Sequence, residues 1–418
     1  MKETIAATSG RVAESGGREA TVLDNGLVRA LVADKGGMVP ELGAKREAGF
    51  LNAHWIPEFR SNSGKKFSEK EHGAFWHVDL LYGIAGNFPC SPNFGPGHEA
   101  GGVAHPPHGW TANLVWKFVK SGIDPATGAA YAVSTMKSPE AALPLLYRKI
   151  DAVFPGVPVH YTSVEIVNGG DKKAEINFGW HNTVGAPFLQ SGCRVTSSAE
   201  RWATPPKGGE FDDTGRLAIG AEFKSLKKAP LRGGKSVDLT TVPGMIGCTD
   251  FATGPVPLKA SLGWSAVVNP VLGLVYATVF PGPAAAGADG IALSFNDLWM
   301  QYGGRRFTPW AAYEGGADRT FCLGVENAVG AYANGLAYAK KLKELMGAPT
   351  VFAVEPKGRK VLRYGTLYAP YASSALDEGV AKLEADKGKL VLSGAAKSVK
   401  IPADADFSRL RSLEELLK

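Results

Sequence analysis

The sequence predicts an all-β protein: one large sandwich of many short strands, with few helices and a C-terminal extension. Three observations carry this. Gly 52 and Pro 27 are high counts in 418 residues, yet 44% of residues are hydrophobic and 10% aromatic. That mixture suits a turn-rich, packed sheet protein and not a disordered one. Strand-like alternation recurs along the chain, and only Ala331 to Met346 shows a convincing helical repeat in the main body. No internal repeat at a solenoid or propeller period is present.

Taken in order, residues 1–20 are polar and predict a loose N-terminal segment. Asp24-Asn25-Gly26 is a turn signal before the strand-like Leu27 to Val32, and Gly36-Gly37 leads into Met38 to Leu42. Residues 52–83 carry Trp55, Trp76, His54, His72 and His77 with little periodicity and predict a long aromatic-rich loop. Gly86 to Trp116 follows, with prolines and glycines that exclude a regular helix or plain strand. Its anchors Phe88, Phe94, Trp110 and Trp116 supply apolar surface that argues for an ordered, functional loop. Pro107-His108-Gly109-Trp110 places an imidazole at a loop-to-strand junction.

Ala130 to Ser134 and Leu146 to Ile150 read as strands. Val159 to His181 predicts a hairpin turning at Asn168-Gly169-Gly170-Asp171. Further strands are expected at Ser236 to Val242, Gly273 to Phe280, Ile291 to Phe295 and Arg319 to Val325. In the helix Ala331 to Met346, Leu336, Leu342 and Leu345 share a face and Gly347 is the stop. The body is therefore bounded at 21–346. The extension 347–418 is expected to pack on it, with strands near Val351 and Val361, a helix near Leu376 to Glu384 and a last one at Ser412 to Leu417. Ser412-x-x-Glu415 fits a capping box there.

Composition removes several function classes. The net charge of +6 comes from 46 basic and 40 acidic residues scattered along the chain, with basic runs no longer than pairs such as Arg305-Arg306. A nucleic-acid partner is not expected from such a pattern. No apolar run approaches the ~20 residues of a membrane span, and Met1 to Gly17 has no apolar signal-peptide core. A cytoplasmic location with no membrane partner is the expectation, and the oligomeric state is left open. Cys90, Cys193, Cys248 and Cys322 are far apart and read as buried free thiols.

Gly234-Lys235-Ser236 ends like a phosphate loop, but Ala229 stands where that motif needs glycine. Gly95-Pro96-Gly97-His98-Glu99-Ala100 matches a dinucleotide fingerprint as letters only. His98, Glu99, His105 and His108 are close in sequence but hold no helical ligand spacing, so no metal is expected. Three motifs remain: Pro107-His108-Gly109-Trp110, Gly179-Trp180-His181-Asn182 and Gly324-Val325-Glu326-Asn327. Two imidazoles and a carboxylate at strand ends fit proton transfer on a sugar, one group taking a proton while another delivers one. A lone His beside Trp is as readily a structural residue, and a Glu before a helix is commonly a dipole partner. The three together point to a site.

At these residues the chain resembles the aldose 1-epimerase (galactose mutarotase-like) superfamily. Gly86-Asn87-Phe88-Pro89 followed by His108-Gly109-Trp110 is similar to that family's Gly-x-Phe-Pro and His-Gly-aromatic segments, with Trp116 where the family often keeps tryptophan. Val167-Asn168 through Gly179-Trp180-His181 resembles its asparagine turn and Gly-Trp-His, and Glu326 matches its late glutamate. The likeness spans roughly residues 20–345. It implies a β-supersandwich and a mutarotase needing no cofactor, with a small carbohydrate as substrate. By position, Glu326 would be the general base, His181 the general acid, and His108 a residue orienting the ring oxygen region. Trp110, Trp180 and Trp299 would stack on the sugar, and Asp250 and Arg305 would grip its hydroxyls. Asn93 is the candidate contact where the family often has Asn-Arg; here Pro92-Asn93-Phe94 supplies no arginine. Asn182-Thr183 also replaces the common Pro and aromatic. A non-catalytic sugar-binding or sensing protein of the same fold is the alternative.

Overall fold

The computed structural model describes residues 6–14, 17–311, 320–372 and 374–418. Two antiparallel sheets face each other. The eight-stranded sheet runs Arg194–Ser197, Leu262–Asn269, Leu274–Pro281, Arg359–Pro370, Val159–Asn168, Leu145–Val153, Ala130–Lys137, Lys117–Ile123. The seven-stranded sheet runs Glu222–Phe223, Trp202–Ala203, Cys248–Pro255, Phe295–Tyr302, Phe321–Val329, Phe178–Val184, Asn87–Cys90. An N-terminal meander of five strands, from Thr8–Glu14 to Gly49–Asn52, packs beside them.

Period-two alternation decides which side chains reach the site. On the seven-stranded sheet, Phe178, Trp180 and Val329 pack between the layers against Tyr147, Val164, Phe280, Leu362 and Tyr364 of the other sheet. Leu298, Met300, Leu323 and Val325 do the same against Val267, Tyr276 and Tyr368. The alternate residues, among them His181, Asp297, Trp299 and Glu326, must then point out of the far face. A buried polar network pins the strands from behind. Asn182 accepts from Tyr276 Oη at 3.0 Å and from Asn87 Nδ2 at 3.1 Å, and donates to Tyr364 Oη. Tyr364 donates to Asn327, and Asn327 to Asn296 at 2.8 Å. A half-satisfied network in that layer would cost about 1–3 kcal/mol per orphaned group, so it resists slippage of the strands.

Several expectations are corrected. Thr8–Glu14 and Arg18–Asp24 form a hairpin where a loose segment was expected; residues 1–5, 15 and 16 lie outside the described residues. Val159 to His181 is not a hairpin. Val159–Asn168 pairs with Leu145–Val153 and Arg359–Pro370, Ala174–Ile176 pairs with Phe352–Val354, and Phe178–Val184 belongs to the opposite sheet. Residues 52–83 contain the helices Glu69–Trp76 and Asp79–Gly83.

The long helix shrinks to Leu336–Leu342, because Tyr332, Ala333 and Lys343 are left-handed (φ 55°, 52° and 63°) and interrupt it at both ends. The body does not end at 346, since Arg359–Pro370 is an interior strand of the eight-stranded sheet. Residues 374–418 form a further layer on that sheet. There, Leu376, Leu383, Leu390, Phe407 and Leu410 cover Ile150, Val159 and Tyr161 on the outer face of that sheet. Lys382–Asp386 is a strand in place of the expected helix near 376–384. The last helix starts at Ser408 with Phe407 as its cap, so Ser412 lies inside it and makes no capping box. No helix among the described residues is long and apolar enough to cross a membrane.

Candidate active site

The strand register builds the site. Trp180 opposes Asn327 and Thr183 opposes Gly324, which brackets His181 opposite Glu326. Asp297 opposes Glu326 on its other side, Thr253 opposes Asp297, and Phe88 opposes His181. Five adjacent strands thus lay Phe88, His181, Glu326, Asp297 and Thr253 in one row on the face away from the interlayer core.

His181 Nε2 lies 3.0 Å from Glu326 Oε1, and its Nδ1 lies 2.9 Å from Thr183 Oγ1. Its ring stacks on Phe88 with centroids 4.6 Å apart and planes 14° apart. These contacts fix the imidazole in place. His108 closes in edge-on, its ring 5.1 Å from that of His181.

His108 is left-handed (φ 57°) and leads into the short helix Gly109–Asn113, a loop-to-helix junction in place of the expected loop-to-strand one. Two glycines of the motifs are explained by close approach. A Cβ on Gly109, itself at φ 74°, would sit 2.4 Å from Ser91 O, and a Cβ on Gly179 would sit 2.3 Å from the Phe94 ring. That ring is the floor under His108, with centroids 5.7 Å apart.

The row opens into a cleft of about 250 Å³ whose walls include His108, His181, Glu326, Trp299, Trp310 and Arg305. Val78, Leu80, Leu81 and Ile84, from the helix Asp79–Gly83 and its flanks, make an apolar side. Arg305 lies over Trp310 (4.4 Å) and Trp299 (5.5 Å) and pairs with Glu210 at 2.7 Å. Burial disfavours charge throughout. It pushes His181 down to about 3 and pushes Glu326 well above the usual carboxylate range, the nearby Glu210 charge adding to the latter. His108 is held well below its ordinary value by burial, then by His181 and Arg305. The pair His181–Glu326 is therefore a neutral unit that carries one proton between two heteroatoms in contact.

Of the residues expected in the site, Glu326, His181, His108, Trp299 and Arg305 line this cleft. Four do not. Trp180 is fully buried between the sheets beside Phe178 and Tyr364, because it precedes His181 on the same strand and faces the opposite way. Trp110 packs in the helix Gly109–Asn113 against His105. Asn93 is a loop clamp, accepting from Leu336 N at 2.8 Å and donating to Pro96 O at 3.0 Å and Pro106 O at 3.2 Å. Asp250 accepts from the backbone of Arg216 and Leu217 at 2.9 and 3.0 Å, turned away from the cleft by the same alternation that turns Phe251 into it.

Glu210, Trp310, Phe251 and Asp297 were missed. Asp297 had a signal, since it sits two residues before Trp299 and must share its face. Glu210 and Trp310 sit in irregular loops that carry none. Among the described residues no cluster of three or more His, Cys, Asp or Glu is placed to hold a metal ion. The nitrogens of His98 are engaged by Ala337 N (3.1 Å) and Pro96 O (3.1 Å).

No family model matches the sequence, and no curated protein matches it. Solved structures do. A candidate aldose 1-epimerase from Klebsiella pneumoniae superposes with a TM-score of 0.62 at 14% identity, over 88% of this chain and 84% of that one. A galactose mutarotase-like protein from Clostridium acetobutylicum does so with a TM-score of 0.56 at 13% identity, over 88% and 99%. A candidate mutarotase from Salmonella typhimurium does so with a TM-score of 0.53 at 12% identity, over 88% and 94%. At such identities the likeness is one of fold.

Proposed function

We propose that this chain, which has the galactose mutarotase-like fold, is an aldose 1-epimerase-like isomerase that interconverts the anomers of a small sugar. One observation carries the reading: a histidine and a glutamate 3.0 Å apart, buried, at the bottom of a tryptophan-walled cleft. Opening a sugar ring needs a proton removed from the anomeric hydroxyl and one delivered to the ring oxygen. Glu326 takes the first and His181 gives the second as the bond from the anomeric carbon to the ring oxygen breaks. The aldehyde turns about its bond to the next carbon and the ring closes on its other face, returning both protons. The pair thus begins as carboxylate and imidazolium and passes through carboxylic acid and imidazole. The total proton count never changes, and the direct contact lets the resting pair reach the starting form.

His108, edge-on to His181, limits where the ring oxygen can sit, and the Trp299 face is a stacking surface for the sugar. Written this way, the reaction calls for two proton-transfer groups and no cofactor. The test is proton NMR exchange between anomer signals across a panel of aldoses. Catalysed exchange of at least one aldose supports the reading; binding with no exchange on any of them would make the protein a sugar-binding module.

A further inference from the structure

His181 has two ring nitrogens, and the reaction above uses only one. Nε2 faces Glu326 at 3.0 Å, while Nδ1 lies 2.9 Å from Thr183 Oγ1. Thr183 stands two residues further along the same strand and so shares the face of His181. It is fully buried, and its cross-strand neighbour Gly324 has no side chain to compete for the hydroxyl. A hydroxyl can play either part at Nδ1, accepting from an N–H or donating to a bare nitrogen. The chemistry separates the two. Opening the sugar ring starts from an imidazolium, which carries a proton on both nitrogens. Closing it requires a bare Nε2 to take the hydroxyl proton back, and a neutral imidazole bare at Nε2 carries its proton on Nδ1. At every stage Nδ1 is then an N–H, and a buried N–H without an acceptor is costly.

We propose that Thr183 is a positioning residue that accepts from His181 Nδ1–H and holds the imidazole in the tautomer whose Nε2 trades protons with the sugar. The Nδ1 proton stays where it is throughout. The proton that moves is the one between Nε2 and Glu326 Oε1, so the pair gains and loses nothing. The Phe88 ring, stacked on the imidazole at 14°, hinders the half-turn that would put carbon atoms at both polar contacts. The ring's own backbone carbonyl also lies near and favours the protonated ring. Only the hydroxyl sits at hydrogen-bond distance from Nδ1 on the same strand face, and its removal separates the two contributions.

The proposal rests on the epimerase reading only for its purpose, and its first test needs no turnover. Protein labelled with nitrogen-15 at histidine is observed by NMR at pH 7, the His181 signals being those lost in His181→Gln. In the parent, Nδ1 should resonate as a protonated nitrogen; a bare Nδ1 beside a protonated Nε2 overturns the proposal. Thr183→Val keeps the shape and removes the hydroxyl, and should shift the ring toward the tautomer protonated at Nε2. A natively folded Thr183→Val protein with the parent's tautomer overturns the proposal, since the backbone carbonyl would then be enough. Where anomer exchange is measurable, Thr183→Val should lower kcat by about tenfold or more and leave KM within about threefold. Thr183→Ser, which keeps a hydroxyl, should recover the parent's tautomer and bring kcat back to within about threefold. A serine variant as slow as the valine one would make the effect one of packing and overturns the proposal equally. If the nitrogen signals behave as expected while no sugar turns over, the epimerase reading falls and the positioning of His181 stands.

Discussion

At the scale of single residues, the His181–Glu326 contact makes two demands. Glu326→Gln keeps the volume and an acceptor oxygen but cannot take a proton. It should fold, bind sugar with little change, and lose about 10²–10⁴ in turnover. Anomer exchange by NMR with binding by calorimetry checks this, and a folded variant as fast as the parent would sink the assignment. The second demand concerns pH. Turnover needs the pair to hold one proton. On the acid side a second proton arrives only as pH nears about 3, where burial has placed His181. On the alkaline side the proton is lost as pH passes the raised Glu326 value. The profile should therefore be a bell that stays high well below pH 6, unlike that of a histidine with its ordinary pKa near 6.5. An acid limb centred near 6.5 would show that His181 is not held neutral by burial.

At the scale of elements, the two motif glycines and the ends of the short helix can be tested by substitution. Gly179→Ala drives a methyl into the Phe94 ring that floors His108. Overpacking of this kind costs about 1–3 kcal/mol, measurable by denaturant unfolding. Turnover should fall further than that loss of folded protein explains, because the ring must shift. Lys343→Gly should act the other way, relieving a left-handed residue at the end of Leu336–Leu342 by about 1 kcal/mol.

These positions also show what could be read from the chain. The two histidines and Glu326 stood out in three short motifs, Pro107 to Trp110, Gly179 to Asn182 and Gly324 to Asn327, and the structure brings these three side chains to one cleft. Trp180 and Asp250 were misplaced although the rule that places them is local. Neighbours on a strand face opposite ways, so Trp180 cannot share a cleft with His181, nor Asp250 with Phe251. Strand pairing was not legible for a different reason. The alternation in Val159 to His181 says that each half is a strand and nothing about its partner, which proved to lie some two hundred residues away at Arg359–Pro370.

At the scale of the molecule, His54 ties the layers together. Its ring nitrogens lie 2.6 Å from Val39 O and 3.0 Å from Tyr276 Oη, and burial pushes it down to about 3. A histidine kept neutral in the fold contributes stability in full above its unfolded value near 6.5, and that stability drains away as pH falls toward 3. Relative to His54→Gln, the parent should therefore lose about 1 kcal/mol for each pH unit below about 6.5, read from paired denaturant melts. A constant gap between the two would contradict the buried neutral ring. Removal of residues 374–418 tests the outer layer. It would strip Ile150, Val159 and Tyr161 of their cover, and the shortened protein should aggregate where the full chain stays dispersed.

The place of Arg359–Pro370 in the eight-stranded sheet also bears on how the protein is made. This strand sits between Leu274–Pro281 and Val159–Asn168, yet a ribosome delivers it after both. Until then each of the two older strands lacks its partner on that side and can pair with a second nascent chain. Synthesis at about 5–20 residues per second leaves the gap open for several seconds after Leu274–Pro281 emerges. The sheet cannot close progressively from one end, because its last-made strand takes an interior place. A chaperone that shields strand edges would have its clearest client at that stage, and a chain stalled near residue 350 would be the species most prone to pair with its neighbours.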